Sequence, residues 1–289
     1  MAGHTYRLDR LHGIGYAVRG FSRNCLIRLV DYPELPLRMN TRQTVKVDQN
    51  VLVVQADLPV GHGMLPVAYK RIRRLGWLKK LTGFIRVNRT LRAWRLGQAF
   101  LDRGIATARP LAVVVPRRPL IESDSFLVTE WIEGGLNLTD FCRRVEELPA
   151  STQPRLLRAA AFRLGDLLGR MHAAGITHRD LKPGNLMLVP RDGDVTAYVI
   201  DLDGAALHRR VPSRLRLKNI SRLALGAESF GNVSSALRRR FLVAYLTAVG
   251  ETSRDWKSTW RDLATLTIRR RQRKQRIAAR RSRQLARTR

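Results

Sequence analysis

Hydrophobic and polar positions change period along this chain, and the change divides it. Residues 51–55 and 65–72 alternate as strands around a turn at Gly61, His62 and Gly63. A helical period follows over residues 91–101 and stops near Gly104. Residues 111–115 and 126–132 read as strands on either side of a turn at 116–119. Beyond Gly134 and Gly135, Asp140 begins a helix. Residues 153–174 give the best helical pattern, with Leu156, Leu157, Ala160, Leu164, Leu167, Leu168 and Met171 on one face and Gly175 placed as its C-cap. Residues 186–189 and 197–201 are short strands, and 214–225, 234–249 and 255–280 are helical. Residues 1–40 are weakly periodic, with a break at Tyr32, Pro33 and Pro36, and read as an N-terminal extension. Strands first and helices afterwards predict an α+β protein.

Composition narrows the class. The 289 residues are 44% hydrophobic, which suits a folded chain with a sizeable core. A formal net charge of +31, from 54 basic and 23 acidic residues, implies polyanionic company: nucleic acid, an anionic membrane surface or a phosphorylated sugar. Arginine used wherever a charge is tolerated accounts for part of that excess. Cys25 and Cys142 are far apart and read as reduced thiols of a cytoplasmic protein. Residues 1–30 hold no charge-free apolar stretch fit for a secretion signal, and 58–69, the longest run without a charge, is too short to span a bilayer.

The chemistry concentrates in Thr177-His178-Arg179-Asp180-Leu181-Lys182-Pro183-Gly184-Asn185, followed by Tyr198-Val199-Ile200-Asp201-Leu202-Asp203-Gly204. Phosphoryl transfer is mostly positioning and charge neutralisation. It needs a carboxylate to orient the attacking hydroxyl, plus oxygen ligands that hold Mg²⁺ on ATP. Asp180, Asn185 and Asp201 fit those three tasks in order, and the run resembles the catalytic loop and metal turn of protein-kinase-like phosphotransferases. Lys70 ends an apolar strand, 110 residues before Asp180, where such enzymes place the lysine that neutralises ATP phosphate charge. Glu130 and Ile132 follow an apolar strand, where kinases hold adenine by backbone hydrogen bonds; Glu130 reads equally well as an ordinary strand-end acid.

Two departures from the kinase pattern stand out. No glycine-rich loop precedes Lys70, and a lid would lie near residues 38–45. The following helix has no glutamate to pair with Lys70, and Ala93 occupies the expected place.

Further segments narrow the resemblance. Residues 67–73, 91–97, 103–111, 200–203 and 238–245 resemble the lipopolysaccharide core kinases, the Kdo- and heptose-phosphorylating family, over roughly 42–270. The resemblance implies a two-lobed protein-kinase-like fold, with a β-rich N-lobe at 41–132 and a mostly helical C-lobe at 133–268. It implies ATP- and Mg²⁺-dependent phosphorylation of a sugar hydroxyl on a lipid-linked saccharide, at the cytoplasmic face of a Gram-negative inner membrane. On that resemblance Asp180 is the base, Lys182 contacts the transferred phosphoryl group, Lys70 is the phosphate lysine, and Asn185 and Asp201 bind Mg²⁺ with Asp203 as a further acidic ligand. No Ala-Pro-Glu follows Asp201 and 86 residues follow Asp203, little room for a peptide-binding shelf. An atypical protein Ser/Thr kinase and a non-catalytic pseudokinase are the rival readings.

Residues 269–289 form a basic tail with eleven Lys or Arg and no acid. A solvated helix end, adhesion to anionic lipid and nucleic-acid contact all suit it, although the absence of aromatic residues disfavours base stacking. Residues 71–86 interleave Trp77, Leu78, Leu81 and Phe84 with basic residues, a mixture suited to peripheral membrane docking.

Overall fold

A computed structural model describes residues 5–39, 41–60, 63–73, 83–117, 124–252 and 255–287. The chain divides into two units, 1–133 and 134–289.

The first unit is a seven-stranded antiparallel sheet. Its strands are β1 (Thr5–Asp9), β2 (Gly13–Val18), β3 (Thr41–Asp48), β4 (Val51–Val60), β5 (Gly63–Ile72), β6 (Pro110–Pro116) and β7 (Ser125–Glu130), in the order β1-β2-β6-β7-β5-β4-β3. Helices α1 (Arg23–Asp31) and α2 (Leu35–Met39) precede β3, and α3 (Gly83–Asp102) follows β5. Alternating side chains give the sheet two apolar faces. Val54, Val67, Tyr69, Phe126 and Val128 pack with Phe21, Leu26, Leu29 and Val30 from the α1 side. Val113, Val115 and Leu127 on the other face pack with Ala93 and Trp94 of α3.

Residues 5–39, expected within an N-terminal extension over 1–40, are thus part of the sheet and its core. Strand β1 carries two charges and β2 two glycines, so neither shows a strong apolar alternation; they pair with each other, and β2 joins the rest of the sheet through β6, nearly a hundred residues later. The lid expected near 38–45 also differs. Residues 38 and 39 end α2 and 41–45 begin β3, and the hairpin turn falls at Gln49 and Asn50, which are not glycines.

The second unit is mainly helical. It contains β8 (Leu136–Asn137), α4 (Leu138–Glu146), α5 (Gln153–Ala173), β9 (Ile176–His178), β10 (Leu186–Arg191), β11 (Asp194–Val199), β12 (Ala205–Leu207), α6 (Ser213–Gly226), α7 (Ser235–Val249) and α8 (Trp256–Arg287). Asn137 caps α4 by accepting the Thr139 and Asp140 N–H groups, and Ser234 caps α7 through Leu237 N–H. Helix α5 buries Leu156, Ala160, Leu164, Leu167, Leu168 and Met171.

Helix α7 approaches α5 closely because Gly165 and Gly169, one turn apart, carry no side chain there. A Cβ on Gly165 would strike the Phe241 carbonyl, and one on Gly169 would lie 2.6 Å from both Ala248 Cβ and the Tyr245 carbonyl. This packing fixes α5, and α5 leads through Gly175 straight into β9 and the loop beyond it. The predicted tail is a continuation of α8, whose side chains are exposed from 271 to 280.

Candidate active site

The loop after β9 carries Asp180, Lys182 and Asn185, and backbone hydrogen bonds stitch it to the turn after β11. Arg179 N–H donates to Gly204 O at 2.8 Å, Asn185 N–H to Lys182 O at 2.9 Å and Ile200 N–H to Asn185 O at 2.9 Å. Strands β9 and β12 pair as well, with His178 opposite Ala205. Two segments about twenty residues apart in sequence therefore form one rigid constellation.

Within it, Asn185 Nδ2 donates to the Asp180 carbonyl at 2.8 Å and to Asp180 Oδ2 at 3.2 Å. Lys182 Nζ lies 2.9 Å from the same Oδ2. Asn185 is buried, whereas the Asp180 and Lys182 side chains are half exposed. That arrangement suits a base. The carboxylate is oriented from below by a fixed amide and remains open to a hydroxyl arriving from solvent. Because its Nδ2 is committed to Asp180, Oδ1 is the atom with which Asn185 could hold a cation.

Asp201 occupies the left-handed region, with φ 58° and ψ 58°, an uncommon conformation for a residue with a side chain. Its carbonyl accepts a hydrogen bond from His178 Nε2 at 3.1 Å. Burial pushes the His178 pKa down, and the Asp201 carbonyl together with the Asp201, Asp180 and Asp203 carboxylates opposes that shift. Asp203 follows in a short 3-10 turn over Leu202–Gly204. Among the described residues no three His, Cys, Asp or Glu side chains gather closely enough to hold a metal alone. The donors on these segments (an amide oxygen and two carboxylates) are hard oxygen ligands. They fit Mg²⁺, which takes one or two protein carboxylates and completes its shell with phosphate oxygens and water.

The remaining predicted residues lie in the first unit. Lys70 is on β5, opposite Val53 of β4 and Leu127 of β7. Directly opposed residues share a face, so Lys70 shares the face of Leu127, against which Ala93 and Trp94 pack. Helix α3 thus presents an alanine beside this strand, and its sequence contains no glutamate. Glu130 ends β7. Its carboxylate pairs with Arg109 and its N–H donates to Arg109 O at 2.9 Å. Trp131 N–H donates to Pro66 O at 3.0 Å, and Ile132 is the next residue. The Glu130 side chain therefore has a structural partner, leaving backbone groups for any nucleotide contact.

Several residues that hold the loop carry no motif. Asn219 on α6 accepts the His178 N–H at 2.7 Å and contacts His172 Nε2 at 3.3 Å, and His172 Nδ1 lies 2.8 Å from Tyr245 Oη. The sequence signal was faint: a polar residue inside the buried stripe of α6, beside Ile220 and Leu223. The aromatic core of the expected membrane-docking segment, including Trp77, Leu78, Leu81 and Phe84, lies outside the residues whose side chains are described.

The fold has known counterparts. A solved structure titled "WaaP in complex with acyl carrier protein" superposes with a TM-score of 0.56 at 23% identity, covering 85% of this chain and 95% of that one, which establishes the shared fold. Lipopolysaccharide core heptose(I) kinase WaaP of Pseudomonas aeruginosa is 29% identical over 182 residues, 60% of this chain and 66% of that protein, so the match spans just under two thirds of the relative. CBL-interacting protein kinase 4 of Oryza sativa subsp. japonica is 35% identical over 116 residues, 40% of this chain and 23% of that protein. Residues 68–273 match a family of lipopolysaccharide kinases across most of the chain, including the whole constellation around Asp180. The chain belongs to the lipopolysaccharide kinase (Kdo/WaaP) family.

Proposed function

We propose that this protein transfers the γ-phosphoryl group of ATP to a sugar hydroxyl of a lipopolysaccharide core. The observation that carries the reading is the Asp180 carboxylate, braced by Asn185 and Lys182 and joined by backbone hydrogen bonds to the Asp201 turn.

In this reading Asp180 accepts the hydroxyl proton as the acceptor oxygen attacks phosphorus in line. Lys182 follows the transferred group and offsets its charge. Lys70 neutralises phosphate charge on the nucleotide. The backbone at Glu130 and Ile132 holds the adenine. Asn185, Asp201 and Asp203 would hold Mg²⁺, which supplies charge neutralisation between the phosphates. Water is kept from the buried side of the constellation by Leu181, Leu186 and Val199, all fully buried.

A lipid-linked acceptor implies work at the cytoplasmic face of the inner membrane, attached peripherally. Among the described residues no helix is long and apolar enough to cross a membrane. Because the related WaaP has been solved with acyl carrier protein, that protein is a partner to test here as well.

Transfer from Mg²⁺-ATP to a panel of Kdo- and heptose-containing glycolipids, beside generic protein substrates, tests the reading. Labelling of a glycolipid that disappears in Asp180→Ala is the expected result. Labelling of protein alone would replace the sugar acceptor with a protein one, and transfer unchanged in Asp180→Ala would overturn the assigned base.

A further inference from the structure

Helix α6 touches the catalytic loop along one stripe. Asn219 holds the His178 N–H, and Gly226 lies so close to Pro183 that any Cβ there would strike the proline ring. Arg222 sits between them, three residues from one and four from the other, on the same helical face. It therefore lies on the side of α6 that faces the loop segment between His178 and Pro183, which contains Asp180. Arg222 Nη1 donates to Lys218 O at 3.1 Å, which holds the side chain along the helix. Burial lowers the Arg222 pKa and the Asp180 carboxylate raises it, as expected of neighbours.

A second arginine joins from α8. Arg271 pairs with Glu228, just past the end of α6, and Thr267 is buried in the same contact. Arg270, next to that anchor, is partly buried, unlike the exposed basic run after it. Its Nε is shut off from solvent with no hydrogen-bond acceptor among the described residues. Burial lowers its pKa, and the charges of Arg222 and Arg273 lower it further. Among the described residues no carboxylate forms an ion pair with Arg270. The Asp180 carboxylate, a neighbour of Arg222, is already engaged by Lys182.

Two partly buried guanidiniums that repel each other, one with an orphaned donor, form an incomplete arrangement. Arginine's planar fork matches a carboxylate or a phosphate. In the proposed reading Mg²⁺, Lys70 and Lys182 would meet the nucleotide phosphates, so these two cations call for a different anion. The acceptor hydroxyl must reach Asp180, which brings the rest of the acceptor sugar within reach of Arg222.

We propose that Arg222 and Arg270 form an anion subsite for an acidic substituent, carboxylate or phosphate, on the sugar acceptor. The inference deepens the kinase reading and rests on it for the identity of the anion's bearer.

The test uses the full chain with its nucleotide site filled by the Mg²⁺ complex of a non-hydrolysable ATP analogue. Inorganic phosphate and, separately, acetate are titrated by calorimetry. Wild type should bind, and each of R222Q and R270Q should weaken binding by roughly tenfold, the scale of a charged hydrogen bond. R222K and R270K should retain most of the affinity, and circular dichroism should show all variants folded. K274Q/R276Q, in the exposed run of α8, controls for bulk charge and should bind as wild type does. Tighter phosphate than acetate binding points to a phosphorylated acceptor, and the reverse to a sugar acid.

In transfer assays R222Q/R270Q should raise the acceptor KM and leave the ATP KM unchanged. Methyl esterification of the acceptor acid should raise the wild-type KM in the same way. Absent binding in wild type, equal binding in R222Q/R270Q, an equal loss in K274Q/R276Q, or a raised ATP KM would each overturn the subsite. Arginine-dependent phosphate binding without transfer to any acceptor would keep the anion site while removing the kinase reading.

Discussion

Asn219 Oδ1 accepts the backbone N–H of His178 at 2.7 Å, joining the middle of α6 to the strand that leads into the loop bearing Asp180. The same oxygen contacts His172 Nε2, so one amide ties α5, α6 and β9 together. Substituting Asn219 by Leu leaves a buried N–H without an acceptor, at a cost of about 1–3 kcal/mol. Asn219→Leu should therefore lower the thermal midpoint and depress kcat more than the ATP KM. Asn219→Asp, which keeps an oxygen in place, should retain more of both. Equal kcat in wild type and Asn219→Leu would remove the positioning role.

Asp180 and Lys182 act on the transferring group in the proposed mechanism, so their loss should affect the chemical step. Asp180→Asn should reduce kcat by about 10²–10⁴-fold, the usual contribution of a positioned base. Nucleotide affinity, read by fluorescence or calorimetry, should change little. Lys182→Met should also lower kcat while sparing the thermal midpoint, because the side chain is half exposed. A large loss of ATP affinity in Asp180→Asn would argue for a ground-state role instead.

The α5–α7 contact depends on two missing side chains. Gly169→Ala places a methyl group where Tyr245 O and Ala248 Cβ now sit, and overpacking of this kind costs about 1–3 kcal/mol. Gly165→Ala meets backbone directly and should be the more damaging. Urea titrations of both variants should show lower midpoints with unchanged m-values. A midpoint equal to that of wild type would mean that α7 can shift aside freely.

His172 supplies a pH dependence with a definite sign. Burial lowers its pKa from 6.5 to about 4. Its contacts suit the neutral ring, with Nε2–H donating to Asn219 Oδ1 and Nδ1 accepting from Tyr245 O–H. Between pH 6.5 and about 4 the unfolded chain binds more protons than the folded one, so stability falls as pH falls. The loss builds to about 3 kcal/mol at the acid end. His172→Gln should flatten the acid limb of thermal midpoint against pH over that window. Parallel limbs in the two proteins would show that other groups carry the acid sensitivity.

The sequence by itself determined the parts whose information is local. Helix α5 was legible because a seven-residue apolar stripe repeats at the helical period before a glycine. The two segments carrying Asp180, Asn185 and Asp201 were legible as candidates because those residues sit at short spacings bounded by apolar strands, and the structure joins the segments by backbone hydrogen bonds. Tertiary structure decided the rest. Strands β1 and β2 join the sheet through a partner nearly a hundred residues away, a pairing that no local period encodes. From three helices, Asn219, His172 and Tyr245 support the loop that carries Asp180. Each is an unremarkable residue in sequence. Its meaning comes from hydrogen bonds made across packed helices, and the α5–α7 part of that packing needs Gly165 and Gly169, where any side chain would strike α7.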